Sequence, residues 1–326
     1  MKEKYFIFHH NDLDGVASAA VLADALEKTA RKIAGTADVD YHLLPQWTKE
    51  NYFSSFKKKG YKIAVVDFPY HPQCDIWLDH HQGPFKKKLW EKNFKESIFL
   101  RFQPEYKSCA HQVLDFAKKE LGYKPPTHIK HLVRWADVVD GALYDSAKQA
   151  ISFSVPAIAL ARALGSLEKK EISQKPIVKA LKEDGVKGGL AVPVIERTIR
   201  SLKKDDKRIL KLYETLTRVE KDVAIVDESK MYGQLKRYYP YYKYPQIHYA
   251  VRYFEQPEKK NWHISAGWNP WNKPKNGVNI GDLLKSLRIG GGGHKAVGGM
   301  EASNKEEVEE LVGEVVRVLK GGRRGV

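Results

Sequence analysis

The chain has 326 residues, 42% hydrophobic and 29% charged, with 56 Lys+Arg against 40 Asp+Glu and a net charge of +16. This length and balance predict a soluble globular protein of about two domains. Two cysteines, Cys74 and Cys109, make no disulfide framework, the first residues read as a strand rather than a signal peptide, and no apolar run approaches the ~18 residues of a membrane span. The expectation is a cytoplasmic protein with no membrane partner.

Charge is unevenly spread. Residues 1–145 hold 22 Lys+Arg against 19 Asp+Glu, residues 146–220 hold 16 against 9, and residues 221–326 hold 18 against 12. The basic excess therefore lies mostly outside the first segment, which suits a polyanionic substrate held by one part of the chain and cut by another. A lysine-rich surface that serves stability is the competing reading.

In chain order, Tyr5–Phe8 reads as a buried strand and Val16–Leu26 as a helix, so "HHNDLDG" between them is a strand-to-helix turn. Asp12 and Asp14 repel each other there, and both stay ionised at neutral pH only with a cation between them. A turn that caps the helix is the plainer alternative. Val39–Leu44 and Lys62–Asp67 read as further strands with a polar helical stretch between them, and "DIWLDHH" ends a third short run. Each strand leads to an acidic residue or a histidine at its carboxyl end, the layout of a parallel, doubly wound sheet with its site along one edge. Asp67 closes an apolar strand, where burial is costly without a cation or donors. Asp79, His80 and His81 follow. Helix capping or a satisfied core pair accounts for each singly, but carboxylates and imidazoles gathered at successive strand ends suit Mn²⁺ or a similar divalent ion.

Residues 146–220 read as several helices forming a connector, their apolar stripes serving packing. Strands are expected at "KDVAIVDES", "HYAVRYFEQ" and "WHISAGWNPWN", and an amphipathic helix near the C-terminus with Val308, Leu311, Val312, Val315 and Leu319 as its buried stripe. The aromatic runs at 238 and 268 either stack nucleobases or fill the core of a small domain. "RIGGGGHKAVGG" leaves backbone N–H groups able to approach an anion, with Arg288, His294 and Lys295 adding donors. It is read as an anion cradle, and the small residues after it as the start of a helix.

Together "HNDLDG", "VVDF", "LDHHQ" and "GGGGHKAVGG", in this order and at domain-scale spacing, resemble the DHH phosphoesterases with a C-terminal DHH-associated domain. The resemblance covers most of the chain, though only these short motifs carry it. It implies an α/β fold: a DHH metal-binding catalytic domain over 1–145, a helical connector over 146–220, a smaller α/β substrate-binding domain over 221–326, and an active site in the inter-domain cleft. It further implies one or usually two Mn²⁺ or Mg²⁺ ions and hydrolysis of phosphoester bonds by water.

Carried over residue by residue, the resemblance makes Asp12, Asp14, Asp67 and His80 metal ligands, His81 substrate-facing and Asp79 an orienting group. Many members have a histidine four residues before the first aspartate, where this chain has Phe8; His10 takes the place that other members use, with His9 as the fallback. The last ligand is Asp137, with Asp140 as second choice, the two lying on one helical face. Gly290, Gly291, Gly292, Gly293 and His294, with Arg288, hold a substrate phosphate.

The leading expectation is an exonuclease or nanoRNase acting on short RNA or single-stranded DNA. The alternatives are a cyclic-dinucleotide phosphodiesterase or 3′-phosphoadenosine-5′-phosphate phosphatase, and a non-catalytic nucleic-acid-binding protein. Expected partners are the nucleotide or single-stranded substrate, with a second copy of the chain as a further candidate.

Overall fold

The computed structural model describes residues 2–32, 36–43, 49–167, 174–229, 237–257 and 259–321. The chain divides into two compact units, Met1–Tyr144 with Ser152–Leu202, and Asp145–Ile151 with Lys203–Val326. No helix among the described residues is long and apolar enough to cross a membrane.

Five parallel strands form the first unit's sheet: β1 (Lys2–His9), β2 (Thr36–Leu43), β3 (Tyr61–Val66), β4 (Ile76–Asp79) and β5 (Leu100–Phe102), in the order β2-β1-β3-β4-β5. Leu44, the expected last residue of the second strand, lies outside the described residues. The helices are α1 (Leu13–Lys32), α2 (Ser54–Lys58), α3 (Lys88–Asn93), α4 (Cys109–Leu121) and α5 (Thr127–Asp140). In the chain there follow α6 (Ala147–Ala150), α7 (Pro156–Leu164), α8 (Lys175–Leu190) and α9 (Pro193–Leu216).

Side chains alternate across the strands. Tyr5, Ile7, Ala64, Val66 and Leu78 join α1, α4, α5, α7 and α8 in one core, while Phe8, Ile63, Val65 and Trp77 meet Phe53 and Trp90 in another. Both faces being covered, β3 and β4 read as near-continuous apolar runs. A fully buried Leu or Ile in such a core contributes roughly 1.5–3 kcal/mol. Strand order reverses at β1, which pairs with β2 on one side and β3 on the other. An opening for ligand lies beyond the carboxyl ends at such a reversal.

Residues 146–220, read as a connector, distribute between the two units. Leu160, Ala163 and Leu164 of α7 and Ile177, Val178 and Leu181 of α8 bury in the same core as α1, whereas Ile209 and Tyr213 of α9 pack with Val226 and Tyr239.

The second unit holds a six-stranded sheet: β6 (Thr217–Glu220), β7 (Val223–Asp227), β8 (Tyr249–Gln256), β9 (Asn261–Trp268), β10 (Gly292–His294) and β11 (Val297–Ala302). Its order is β10-β11-β9-β8-β7-β6, antiparallel except between β7 and β8. With it in the chain come α10 (Tyr239–Lys243), α11 (Ile280–Leu287) and α12 (Lys305–Leu319). The stripe expected on α12 packs on Val251, Ile264 and Met300, with Val308, Val312, Val315 and Leu319 buried and Leu311 partly so. Asn304 caps that helix by accepting the Glu307 N–H at 2.9 Å.

One expectation changes here, and one open alternative gains a structure. The residues after the glycine run form not a helix but the hairpin β10–β11, because "VGGMEA" alternates with period two and pairs along β9. The aromatic run at 238 becomes α10, with Tyr239 and Tyr241 buried and Tyr238, Tyr244 and Trp271 packed against a small apolar cluster. Those side chains serve packing.

Candidate metal centre

The turn after β1 delivers the first candidates. His10 Nδ1 lies 2.7 Å from Asp12 Oδ2 and 3.9 Å from Asp67 Oδ2. Asp12 Oδ1 accepts the Gly15 N–H at 2.9 Å. Burial opposes ionisation of Asp12, but the hydrogen bond and charge of His10 overcome it and hold the pKa at about 2. His9 is fully buried, and burial pushes its pKa down to about 4; its Nδ1–H donates to the His10 carbonyl at 2.8 Å. Asp14 performs two tasks. Its oxygens accept the Cys109 and Ala110 N–H groups at 2.6 and 2.8 Å, capping α4, and its Oδ2 stands 3.4 Å from His80 Nε2. The helix Asp14 caps is thus α4 rather than the one that follows its own turn, where Asp12 accepts the Gly15 N–H.

β3 and β4 bring further candidates. Asp67 follows β3 with φ +57, a conformation aspartate tolerates better than most residues. Its N–H donates to the Leu78 carbonyl at 3.0 Å and to Cys109 Sγ at 3.2 Å, fixing the turn. Both carboxylate oxygens are buried without a hydrogen-bond partner, and burial together with Asp14, Asp12 and Asp79 raises this pKa well above the carboxylate range. Asp79 is buried; its Oδ1 accepts the His80 N–H at 2.9 Å and holds His81 Nδ1 at 2.9 Å. That bond raises the pKa of His81, whose side chain is 46% exposed and whose Nδ1 lies 3.6 Å from Asp67.

His80 donates Nδ1–H to the Tyr106 carbonyl at 3.1 Å, which turns Nε2 toward Asp14 (3.4 Å), Asp67 (3.8 Å) and Asp140 (3.4 Å). Burial alone would lower the His80 pKa; Asp14 and then Asp140 push it up to about 9. On α5 the structure brings Asp140 to this cluster rather than Asp137. Asp137 accepts the Ser108 hydroxyl at 2.7 Å and holds His111 Nδ1 at 2.9 Å, while burial and Asp14 raise the Asp140 pKa to about 6. The signal that separates them is the buried stripe Ile129, Leu132, Val133 and Ala136: Asp140 continues it, and Asp137 lies about 60° further round the helix.

Three overlapping groups have ligand atoms within 4.8 Å of one another: His10, Asp12 and Asp67; Asp67, His80 and His81; Asp14, His80 and Asp140. Buried oxygens of Asp67 and the buried Nε2 of His80, all unpartnered, are the orphaned atoms a cation would satisfy. Mixed carboxylate and imidazole donors fit a divalent metal ion. Tyr106, Ser108 and Cys109, which steady His80, Asp137 and Asp67, were not singled out in the sequence; backbone and hydroxyl partners leave no spacing pattern.

In the second unit, Arg288 ends α11 and pairs with Glu307 of α12, its Nη2 donating to Ser303 Oγ at 3.3 Å. Gly290 and Gly291 lead into β10, which holds Gly292, Gly293 and the exposed His294. A Cβ on Gly281 would lie 2.4 Å from the Gly293 carbonyl oxygen, so the glycines let α11 and the hairpin touch through their backbones.

A parallel sheet ordered β2-β1-β3-β4-β5, with carboxylates and histidines at its carboxyl edge, followed by a mixed sheet, is similar in fold to solved DHH-domain proteins. A pGpG-specific phosphodiesterase, PggH from Vibrio cholerae, superposes with a TM-score of 0.68 at 17% identity over 98% of this chain and 100% of its own. A DHH domain of a member of the s1p family of ribosomal proteins gives 0.59 at 14% identity, covering 97% and 87%. RecJ from Thermus thermophilus, solved in complex with Mn²⁺, gives 0.52 at 14% identity, covering 99% of this chain and 53% of RecJ. No family model and no curated protein matches the sequence.

Proposed function

We propose that the chain is a divalent-metal-dependent phosphodiesterase acting on short RNA or single-stranded DNA oligonucleotides. The observation that carries this reading is Asp67: a buried carboxylate with both oxygens unpartnered, ringed by Asp12, Asp14, His10, His80, His81 and Asp140. Asp12, Asp14, Asp67, His80, Asp140 and His10 would hold the ions. Divalent ions bound there supply water activation and charge stabilisation for phosphoryl transfer. Asp79 fixes the ring of His81, which turns its half-exposed face to the substrate phosphate. In the second unit, the exposed His294 and the glycines beside it offer donors to an anion, with Arg288 steadying the loop through Glu307.

The basic excess of residues 146–326 favours a nucleotide chain as substrate, held partly through its phosphates. A dinucleotide is the shortest member of that class, and full-length likeness to a pGpG-specific phosphodiesterase supports it. The test is a comparison of rates in Mn²⁺ on end-labelled RNA and DNA of graded length, a cyclic dinucleotide and 3′-phosphoadenosine-5′-phosphate. The expected result is fastest hydrolysis of oligonucleotides a few residues long; faster turnover of the cyclic or monomeric substrate would replace this reading.

A further inference from the structure

Beside the metal centre stands a group with no part in it. His111 lies in the first turn of α4, and its Nδ1 is held 2.9 Å from Asp137 Oδ2, while Asp137 Oδ1 accepts the hydroxyl of Ser108, the residue that caps α4. Its side chain is 42% exposed. The nearest carboxylate to Nε2, Asp115, is 4.0 Å away, too far for a hydrogen bond, and is engaged by the Tyr106 hydroxyl at 3.1 Å and by Lys118 at 3.2 Å. The ring is therefore oriented at one nitrogen and open at the other.

Three short links tie this ring to the cluster. Asp137 precedes Asp140 by one helical turn on α5. Cys109, two residues before His111, gives its N–H to Asp14. The Tyr106 ring lies against His111 with centroids 5.5 Å apart, and the Tyr106 carbonyl holds His80. His111 is nevertheless absent from every ligand group. A polar ring fixed just outside an ion's ligands faces what the ion draws in, and side-chain contacts to phosphate set the register of a nucleic acid.

We propose that His111, oriented by Asp137, contacts the substrate phosphate that adjoins the scissile one. An oxygen of that phosphate within reach of Nε2 places the ring between the Asp137 carboxylate and the phosphate. The inference rests on reading the first unit as a phosphodiesterase and adds to it a subsite for a second phosphate.

The test compares the wild type with His111→Ala and with His111→Gln, which keeps the bulk of the side chain without its charge. Affinity for a 5′-phosphorylated dinucleotide is measured by fluorescence anisotropy in Ca²⁺. In Mn²⁺, kcat and KM are measured for the dinucleotide and for bis(p-nitrophenyl) phosphate, which has a single phosphate. Expected for His111→Ala is a dinucleotide KM raised about tenfold or more (~1.4 kcal/mol), a matching loss of affinity, and a much smaller loss on the chromogenic ester; His111→Gln shows the same selectivity at smaller size. Equal losses on both substrates, or unchanged dinucleotide affinity, would overturn the proposal. Should the wild type hydrolyse neither substrate while His111→Ala still loses dinucleotide binding, the phosphodiesterase reading falls and the contact stands.

Discussion

Asp67 concentrates the chemistry of the site in one side chain. Buried without donors and surrounded by Asp14, Asp12 and Asp79, it holds its proton above the usual carboxylate range, Asp140 does so up to about 6, and His80 keeps its proton up to about 9. All three folded-state pKa values are raised, so without metal the stability these groups contribute is present below their unfolded values and is lost as pH rises through the folded ones. Metal binding works in the opposite sense, because ligands must shed their protons. Mn²⁺ affinity is therefore expected to tighten from pH 6 to pH 9, by about tenfold per pH unit for each proton displaced. Isothermal titration in buffers of different ionisation enthalpy measures both affinity and proton release; pH-independent affinity with no proton released would contradict these assignments. Asp12, held near 2 by His10, adds nothing to this window. In the sequence, Asp12, Asp14, Asp67 and His80 were legible because each follows an apolar strand. The choice between Asp137 and Asp140 was not, because residues three apart share a helical face and only the rotation of α5 about its buried stripe separates them.

Among the elements, the glycine run shows how one sequence pattern serves two readings. Taken as an anion cradle it needs open backbone, and Gly290 and Gly292 have open space where a side chain would begin. Taken as packing it needs close approach: a Cβ on Gly281 would fall 2.4 Å from the Gly293 oxygen, and Gly293, at φ +144, is itself confined by the Val297 oxygen. Gly281→Ala is accordingly expected to destabilise the protein by about 1–3 kcal/mol through overpacking, and Gly292→Ala to stay within about 0.5 kcal/mol of wild type. Urea unfolding of the two variants checks the difference; equal destabilisation would mean that α11 and the hairpin do not meet as described. The sequence carried the composition of this loop but not its partner, since a run of glycines has no side-chain period and the alternation in "VGGMEA" becomes a strand only by pairing with β9.

At the scale of the whole molecule, the strand-and-helix plan of the first unit was legible because parallel strands covered on both faces are apolar runs. The division of residues 146–220 was harder to read: α7 and α8 carry apolar stripes like those of any packed helix, and nothing local says that they bury against α1 while the later part of α9 packs with β7 and α10. What the molecule does rests on whether its strand-end cluster holds metal and hydrolyses phosphodiesters with it. The most direct measurement is hydrolysis of a short oligonucleotide by chelator-stripped protein, wild type and Asp67→Ala, before and after adding Mn²⁺ or Ca²⁺. The expected result is no turnover when stripped, recovery with Mn²⁺ well above that with Ca²⁺, whose looser all-oxygen preference fits the histidine ligands poorly, and on the order of 100-fold or more less activity in a folded Asp67→Ala. Undiminished turnover in excess chelator, or wild-type turnover by Asp67→Ala in Mn²⁺, would contradict the account.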